Sequence, residues 1–446
     1  MSTGAVASGP PRGHLLKILG VTFGVAVAIG QVIGSGILRS PSIIAGQVQG
    51  IGLIIGLWAL GGLQVALAAN LNAELGTALP RTGGGYNFVR RAMGDVFGLA
   101  VGWTDWLSNL AGAAAASVSF AEFLPLLLPA AGAHKIAIAL SLQAALYTAN
   151  IAGLREGRAV QELTSFIKAA MLLVFIVIAV LVVAPPEKPT LLFSPTALGW
   201  ANLVLAYQLI MGAYAGWNTP LYFAGENSDP ARALPRALFV GIAVTAFLYI
   251  GVNGALLYAL SPAGLAGSPL PFSAVLSRIA GPAPAALFAL GACLTVASCS
   301  NACIMAAPRV LFALARDGLL PRGVTYVNAG GSPTIAYAMT ALGTVALAAT
   351  GTFSLVFGLI ATLNALSGFL VDIAFWVLRV KAPELPRPHR AKGYPVLPVI
   401  PVLVDGALVV LFTAADYVGG LVALGLGLLC IPFAFLAHRA REGAAA

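Results

Sequence analysis

The chain has 446 residues, 59% of them hydrophobic and only 9% charged, with a formal net charge of +9 at pH 7. Soluble domains carry about 25% charged residues, so this composition excludes a water-soluble enzyme and describes a multi-pass membrane protein. The positive balance does not mark a nucleic-acid partner, because the basic residues are sorted onto one set of loops.

A bilayer crossing takes about 20 apolar residues, and by that measure about twelve spans begin near residues 18, 51, 95, 135, 162, 199, 237, 283, 334, 354, 396 and 418. With the N-terminus inside, the inner segments hold Arg12, Lys17, Arg81, Arg90, Arg91, Arg155, Arg158, Arg232, Arg236, Arg309, Arg316 and Arg322, then Arg379, Lys381, Arg387, Arg390, Lys392, Arg439 and Arg441. The outer loops hold only Lys135, Lys188 and Arg278. This asymmetry is the positive-inside pattern. It puts both termini in the cytoplasm and the protein in a plasma or inner membrane. The first apolar run is too long for a signal-peptide core, so no cleaved leader is expected.

Residues 1–16 read as a cytoplasmic tail. The run from about Ile18 to Ile44 is then interrupted, after Ile33, by Gly34-Ser35-Gly36. A lipid-facing helix gains nothing from such a break, and unwound backbone at membrane depth is tolerated only where it lines a cavity or packs against protein. The N–H groups freed at a half-helix N-terminus form a carboxylate site. Arg39, one turn on, either snorkels outward or guards an outer vestibule. Glu74, Asp105, Glu122 and Asp372 lie near span ends and read as solvated at the interface. Asn109, Gln143 and Asn150 either line a cavity or bridge helices.

Lys168 lies about two turns into the fifth span, where a charged amine costs at least about 2.5 kcal/mol and marks function. Its amine stands in for a bound cation that props the first broken helix against the eighth span, with Ser298 and Ser300 as partners there. The competing account is snorkelling to the interface.

The second break lies in the run from about Leu198 to Ala224, at Gly212-Ala213-Tyr214-Ala215-Gly216-Trp217-Asn218-Thr219-Pro220. Its freed carbonyls accept an ammonium, so the two breaks together form a receptor for a free α-amino acid. Tyr214, Trp217 and Tyr207 flank it as candidate gates, and Gln208, Asn301 and Asn364 are further polar residues for the cavity or for helix bridging. Two interrupted segments in matching positions indicate a secondary transporter with a midplane site. The expected units are a five-helix repeat at 17–185 and its inverted copy at 195–380. A cytoplasmic connector follows at 381–394, then two spans at 395–438 that serve packing or oligomer contacts, and a tail at 439–446.

Cys293, Cys299, Cys303 and Cys430 lie in apolar spans and read as reduced core residues rather than disulfides or metal ligands. The histidines, His14, His134, His389 and His438, fall in loops or tails, which argues against histidine-based membrane enzymes. No phosphate-binding GxxxxGK[ST] loop is present, so ATP-driven pumping is not indicated. No cofactor or metal is expected.

Gly34-Ser35-Gly36-Ile37, Gly83-Gly84-Gly85-Tyr86, the stretch from Ala213 through Glu226 to Ala237, and Pro308 to Pro321 together resemble the amino acid–polyamine–organocation superfamily. The chain is most similar to its L-amino-acid transporter branch over residues 17–438. The resemblance implies an all-α leucine-transporter fold, a 5+5 inverted repeat with helices 1 and 6 broken, and alternating access. It also implies that Lys168 occupies the position sodium takes in sodium-coupled relatives, favouring sodium-independent exchange or proton coupling of neutral L-amino acids. A cationic amino acid or polyamine carrier is the alternative, and a non-transporting sensor or channel on this scaffold is a third. Relatives carry a bulky aromatic where this chain has Gly212, which implies a roomier pocket or a substitute ring from Tyr207 or Trp217. The cysteine that joins animal members to a heavy chain has no counterpart, so no disulfide-linked partner subunit is expected.

Overall fold

The computed structural model describes residues 20–430 apart from 49, 153, 184–198, 269, 281, 329–330 and 350–352. The side chains of 152–160, 279–285 and 353–356 are likewise outside the description. The tails and the outer loop with Lys188 therefore lie outside the described residues. The described chain is all-helical: α1 Val21–Val32, α2 Ser35–Gln47, α3 Ile51–Ala78, α4 Gly85–Met93, α5 Asp95–Phe123, α6 Lys135–Ala152, α7 Leu154–Val182, α8 Trp200–Tyr214, α9 Pro230–Ala266, α10 Pro271–Ala280, α11 Pro282–Arg316, α12 Thr334–Ala348, α13 Phe353–Lys381, α14 Val399–Ala415 and α15 Tyr417–Leu428.

Among the described residues seven helical segments are long and apolar enough to cross a membrane, with further short apolar helices at α12, α14 and α15. Their surfaces separate them. The segment from Val21 to Gln47 has 78% of its apolar window buried, whereas Gln161–Val182 has 28%. The interrupted helix is thus enclosed by protein, while α7 faces outward with Phe166 and Leu181 exposed. In an aqueous domain such exposed apolar side chains would be a liability; against lipid they are the expected face.

Local chemistry sets the helix ends. Asp229 caps α9 by accepting the Arg232 N–H, with Pro230 at the first helical position. Gly83 and Gly84 both have positive φ before α4, and a Cβ on Gly84 would overlap the Tyr222 ring. The motifs noted in the sequence converge here. Gly83 donates its N–H to Tyr222 O (3.3 Å), Tyr86 and Arg90 both reach Asp317 at 3.1 Å, and Arg309 grips Glu226 at 2.7 and 3.1 Å with both side chains fully buried.

Nearby, Glu74 is enclosed by Arg379 (2.5 Å) and Arg387 (3.0 Å). It is not solvated at an interface as the sequence reading had it, and neither are Asp105 and Asp372, which are both buried. Asp105 sits ten residues into α5, roughly 15 Å along the helix. Glu122 remains partly exposed and pairs with Arg39, so Arg39 is held by an ion pair rather than reaching out alone.

Candidate functional site

Ile33 and Gly34 are the two non-helical residues between α1 and α2. A helix that stops leaves its last four carbonyls without intrahelical partners. Here each is satisfied from outside. Lys168 Nζ on α7 donates to Gly30 O and to Ile33 O (2.9 Å), Cys299 Sγ on α11 to Gln31 O (3.1 Å), and Tyr249 Oη on α9 to Val32 O (2.7 Å). Lys168 is 1% exposed, which removes the snorkelling account. Its cation also lies at the negative end of the α1 dipole, where positive charge is favoured.

The opposite half of the break is open. By helix geometry the first N–H groups of α2 have no carbonyl a turn earlier, and Gly34, Ser35 and Gly36 line a cavity of about 40 Å³. Close approach explains the glycines. A Cβ on Gly34 would lie 2.5 Å from Cys299 Sγ, and one on Gly36 would lie 2.8 Å from the Ala213 backbone. The two broken segments touch at that point.

α8 ends at Tyr214, and Ala215 to Asn218 form turns before a 3₁₀ segment at Thr219–Glu226. The second break therefore starts at Ala215; Gly212, Ala213 and Tyr214 form the last turn of α8. Gly216 has φ +96, and a Cβ there would meet Gln31 Cγ at 2.5 Å. Gln31 couples the breaks: its Nε2 donates to Asn109 Oδ1 (2.9 Å) and its Oε1 accepts from Thr219 Oγ1 (2.5 Å). Tyr249 Oη also lies 3.0 Å from Ala213 O, at the end of α8.

The cavity brings together Gly34, Ser35, Gly36, Gly212, Ala213, Ala215, Gly216 and Asn109, while Ile33 lies buried beside it on Lys168. Several expected residues are elsewhere. Ser298 bonds Thr164 Oγ1 at 2.8 Å, and Ser300 bonds Gln143 Nε2 at 3.2 Å, so neither hydroxyl meets Lys168. Successive helical residues point about 100° apart; with Cys299 facing the break, its two neighbours are turned away. Asn301 bridges Asn150 (2.6 Å) and Gln161 (3.3 Å) rather than lining the cavity. Tyr214 is not among the residues lining the cavity: it packs on Trp58 and Tyr249 and donates to Trp58 O. Tyr207 is buried outside the cavity, and Trp217 lines a neighbouring chamber.

The pocket at Gly212 is not roomier. Phe357 of α13 fills the space: a Cβ on Gly212 would lie 2.9 Å from its ring, and one on Gly36 would lie 3.1 Å from it. The substitute ring thus comes from neither Tyr207 nor Trp217. Gln31, Tyr249 and Phe357 were missed in the sequence. Gln31 alone carried a signal, as a polar side chain in an apolar run one turn before the glycines.

The amino acid permease family matches residues 20–425. The chain is 26% identical over 438 residues to the large neutral amino acids transporter small subunit 2 of Oryctolagus cuniculus, covering 95% of this chain and 80% of the relative. It is 27% identical over 409 residues to the branched-chain amino acid permease BcaP of Bacillus subtilis (84% of each). It is 26% identical over 322 residues to the b(0,+)-type amino acid transporter 1 of Mus musculus (70% and 66%). These relatives are transporters and not enzymes. With a helix opened beside a small cavity and a family match along nearly its whole length, this multi-pass membrane protein belongs to the amino acid permeases of the amino acid–polyamine–organocation superfamily.

Proposed function

We propose that the protein is a sodium-independent secondary transporter of neutral L-amino acids, working by alternating access with both termini in the cytoplasm. One observation carries this reading: the protein's own groups cap every end carbonyl of α1, while Gly34, Ser35 and Gly36 at the N-terminal end of α2 line the cavity. That polarity fits a carboxylate and repels a cation. Sodium has no role when the Lys168 ammonium already holds the carbonyls of Gly30 and Ile33. The end carbonyls of α8 offer the complementary site for the α-amine at a helix C-terminus.

The other polar lining groups, Gln31, Ser108, Asn109, Asn218 and Asn364, are uncharged, as suits a substrate of no net charge. A cavity of about 40 Å³ holds roughly three waters, less than an amino acid needs. Entry therefore requires the bundle to move, with the units 17–185 and 195–380 as inverted repeats rocking about the breaks. The basic loops assign the end holding Glu74, Arg379 and Arg387 to the cytoplasm. No disulfide-linked heavy chain takes part.

The test is counterflow into liposomes bearing the purified protein, with labelled leucine, alanine, lysine and putrescine, in sodium and in choline buffers. Leucine or alanine should exchange equally in both buffers. Exchange that needs sodium, or that occurs only with putrescine, would refute the reading.

A further inference from the structure

Beside the substrate cavity lies a second chamber of about 60 Å³, which shares Ala215, Gly216, Asn218 and Asn364 with it. Three carboxyl groups from three different helices line it: Asp105 on α5, Asp372 on α13 and Asp405 on α14. The substrate site uses none of them. They are 2%, 1% and 7% exposed, and the lining includes no basic side chain among the described residues.

Their hydrogen bonding is incomplete. Asp405 Oδ1 accepts from Gln64 Nε2 (2.6 Å) and Asp105 Oδ1 from Ser367 Oγ (2.5 Å). Both oxygens of Asp372 are buried with no hydrogen-bond partner among the described residues. Asp405 Oδ2 lies against Gly368, close enough that a Cβ there would be 2.6 Å away, and Gly368 is one helical turn before Asp372. The two carboxyl groups thus face the same space from adjacent helices. Two buried carboxyl groups that face one space, with no basic side chain in its described lining, favour sharing a proton over carrying two negative charges. An acid in a membrane interior that pairs with no protein cation marks an ion or proton path.

We propose that Asp372 and Asp405 form the proton-coupling site of this transporter, sharing one transported proton per cycle. The inference rests on the amino-acid transport reading and identifies its coupling group. The proton arrives from the outer side through the substrate cavity, along Asn364 and Asn218, which border both spaces. It binds a carboxylate oxygen of the pair and neutralises one negative charge. When the chamber opens toward the basic, cytoplasmic end, water takes the proton and the pair regains that charge. Lys168, held on two carbonyls, is then a fixed strut and not the proton carrier.

Other titratable groups around the pair are few. Asp105 faces the chamber from α5 with Tyr222 beside it, and Tyr207 faces Asp405 from α8. Arg379 is about two turns further along α13, Arg387 lies in the segment after that helix, and both are engaged by Glu74.

The test uses the full-length protein in liposomes loaded with a pH-sensitive dye, with labelled leucine, alanine and lysine as probes. The wild type should accumulate leucine or alanine when the interior is made alkaline, with protons entering alongside. Asp372→Asn and Asp405→Asn, which keep shape and hydrogen-bonding capacity, should each reduce gradient-driven accumulation to the level without a gradient. Counterflow at equal pH should stay within about threefold of wild type, which also establishes that the variants are folded.

Gradient-driven uptake unchanged in both variants would overturn the proposal. So would counterflow and coupling falling together by the same factor, since the carboxyls would then be structural. Selective loss of lysine counterflow would also overturn it, making the chamber a subsite for a substrate's distal ammonium. A wild type that exchanges leucine but ignores the pH gradient refutes the coupling proposal alone. A wild type that exchanges none of the probes refutes the transport reading beneath it.

Discussion

Replacing Lys168 with Met keeps the apolar stem and removes only the ammonium that holds Gly30 O and Ile33 O. A hydrogen bond to a charged group contributes about 1.5–3 kcal/mol, and a buried acceptor left without a donor bears its full desolvation cost. Two such bonds place the loss at about 3–6 kcal/mol, all of it falling on the open form of the α1–α2 break. At 1.4 kcal/mol per decade, the population of that form falls at least about a hundredfold. Counterflow by Lys168→Met, normalised to monodisperse protein in the liposome, should therefore drop by two orders of magnitude or more. The overall fold should persist, because Tyr249 and Cys299 still hold Val32 O and Gln31 O. Turnover within about tenfold of wild type would refute the reasoning, since the break would then stand without its cation.

Further consequences follow from the same contacts. Gly212→Phe should abolish counterflow, because its Cβ would lie 2.9 Å from the Phe357 ring; adding Phe357→Ala should restore it, and failure of the double variant would place Phe357 outside the gating position. Tyr249→Phe removes the one hydroxyl proton held between Val32 O and Ala213 O, at about 1–3 kcal/mol, so counterflow should fall roughly five- to a hundredfold; an unchanged rate would dismiss the tyrosine as a link between the breaks. Glu226→Gln leaves the Arg309 charge buried and unpaired, a loss of about 3–5 kcal/mol, and should lower the thermal stability of the purified protein sharply, whereas Glu226→Gln combined with Arg309→Met should recover much of it.

The two breaks were legible because each depends on glycines clustered within one short stretch of sequence. Their positions in the apolar runs matched the structure to within a few residues, and Lys168 declared itself as a charge in an apolar helix. The residues that complete the site are of another kind. Tyr249 reaches the first break from 217 residues away and the end of α8 from 36, Phe357 comes from a later helix still, and an isolated aromatic in an apolar span gives no sign of which neighbour it meets. Ser298 and Ser300 were misassigned by proximity alone: the side chain that faces the break is the one between them.

The acidic chamber was misread for a geometric reason. Asp105 and Asp372 were placed by their distance from the ends of apolar runs, but α5 and α13 are each 29 residues long and put these carboxyls several turns inside. Asp405 lies on a later span, and no local pattern joins residues 372 and 405. Only the packing of α13 against α14 brings them to one space.

The central claim is that the α2 end of the first break holds the substrate's carboxylate. The direct measurement is competition for counterflow between the best-transported amino acid and its carboxamide, which changes the anchor and little else. Losing charge-assisted bonds to two N–H groups, at about 1.5 kcal/mol or more each, should weaken the amide at least about a hundredfold. An amide that competes as well as the free acid would contradict the account.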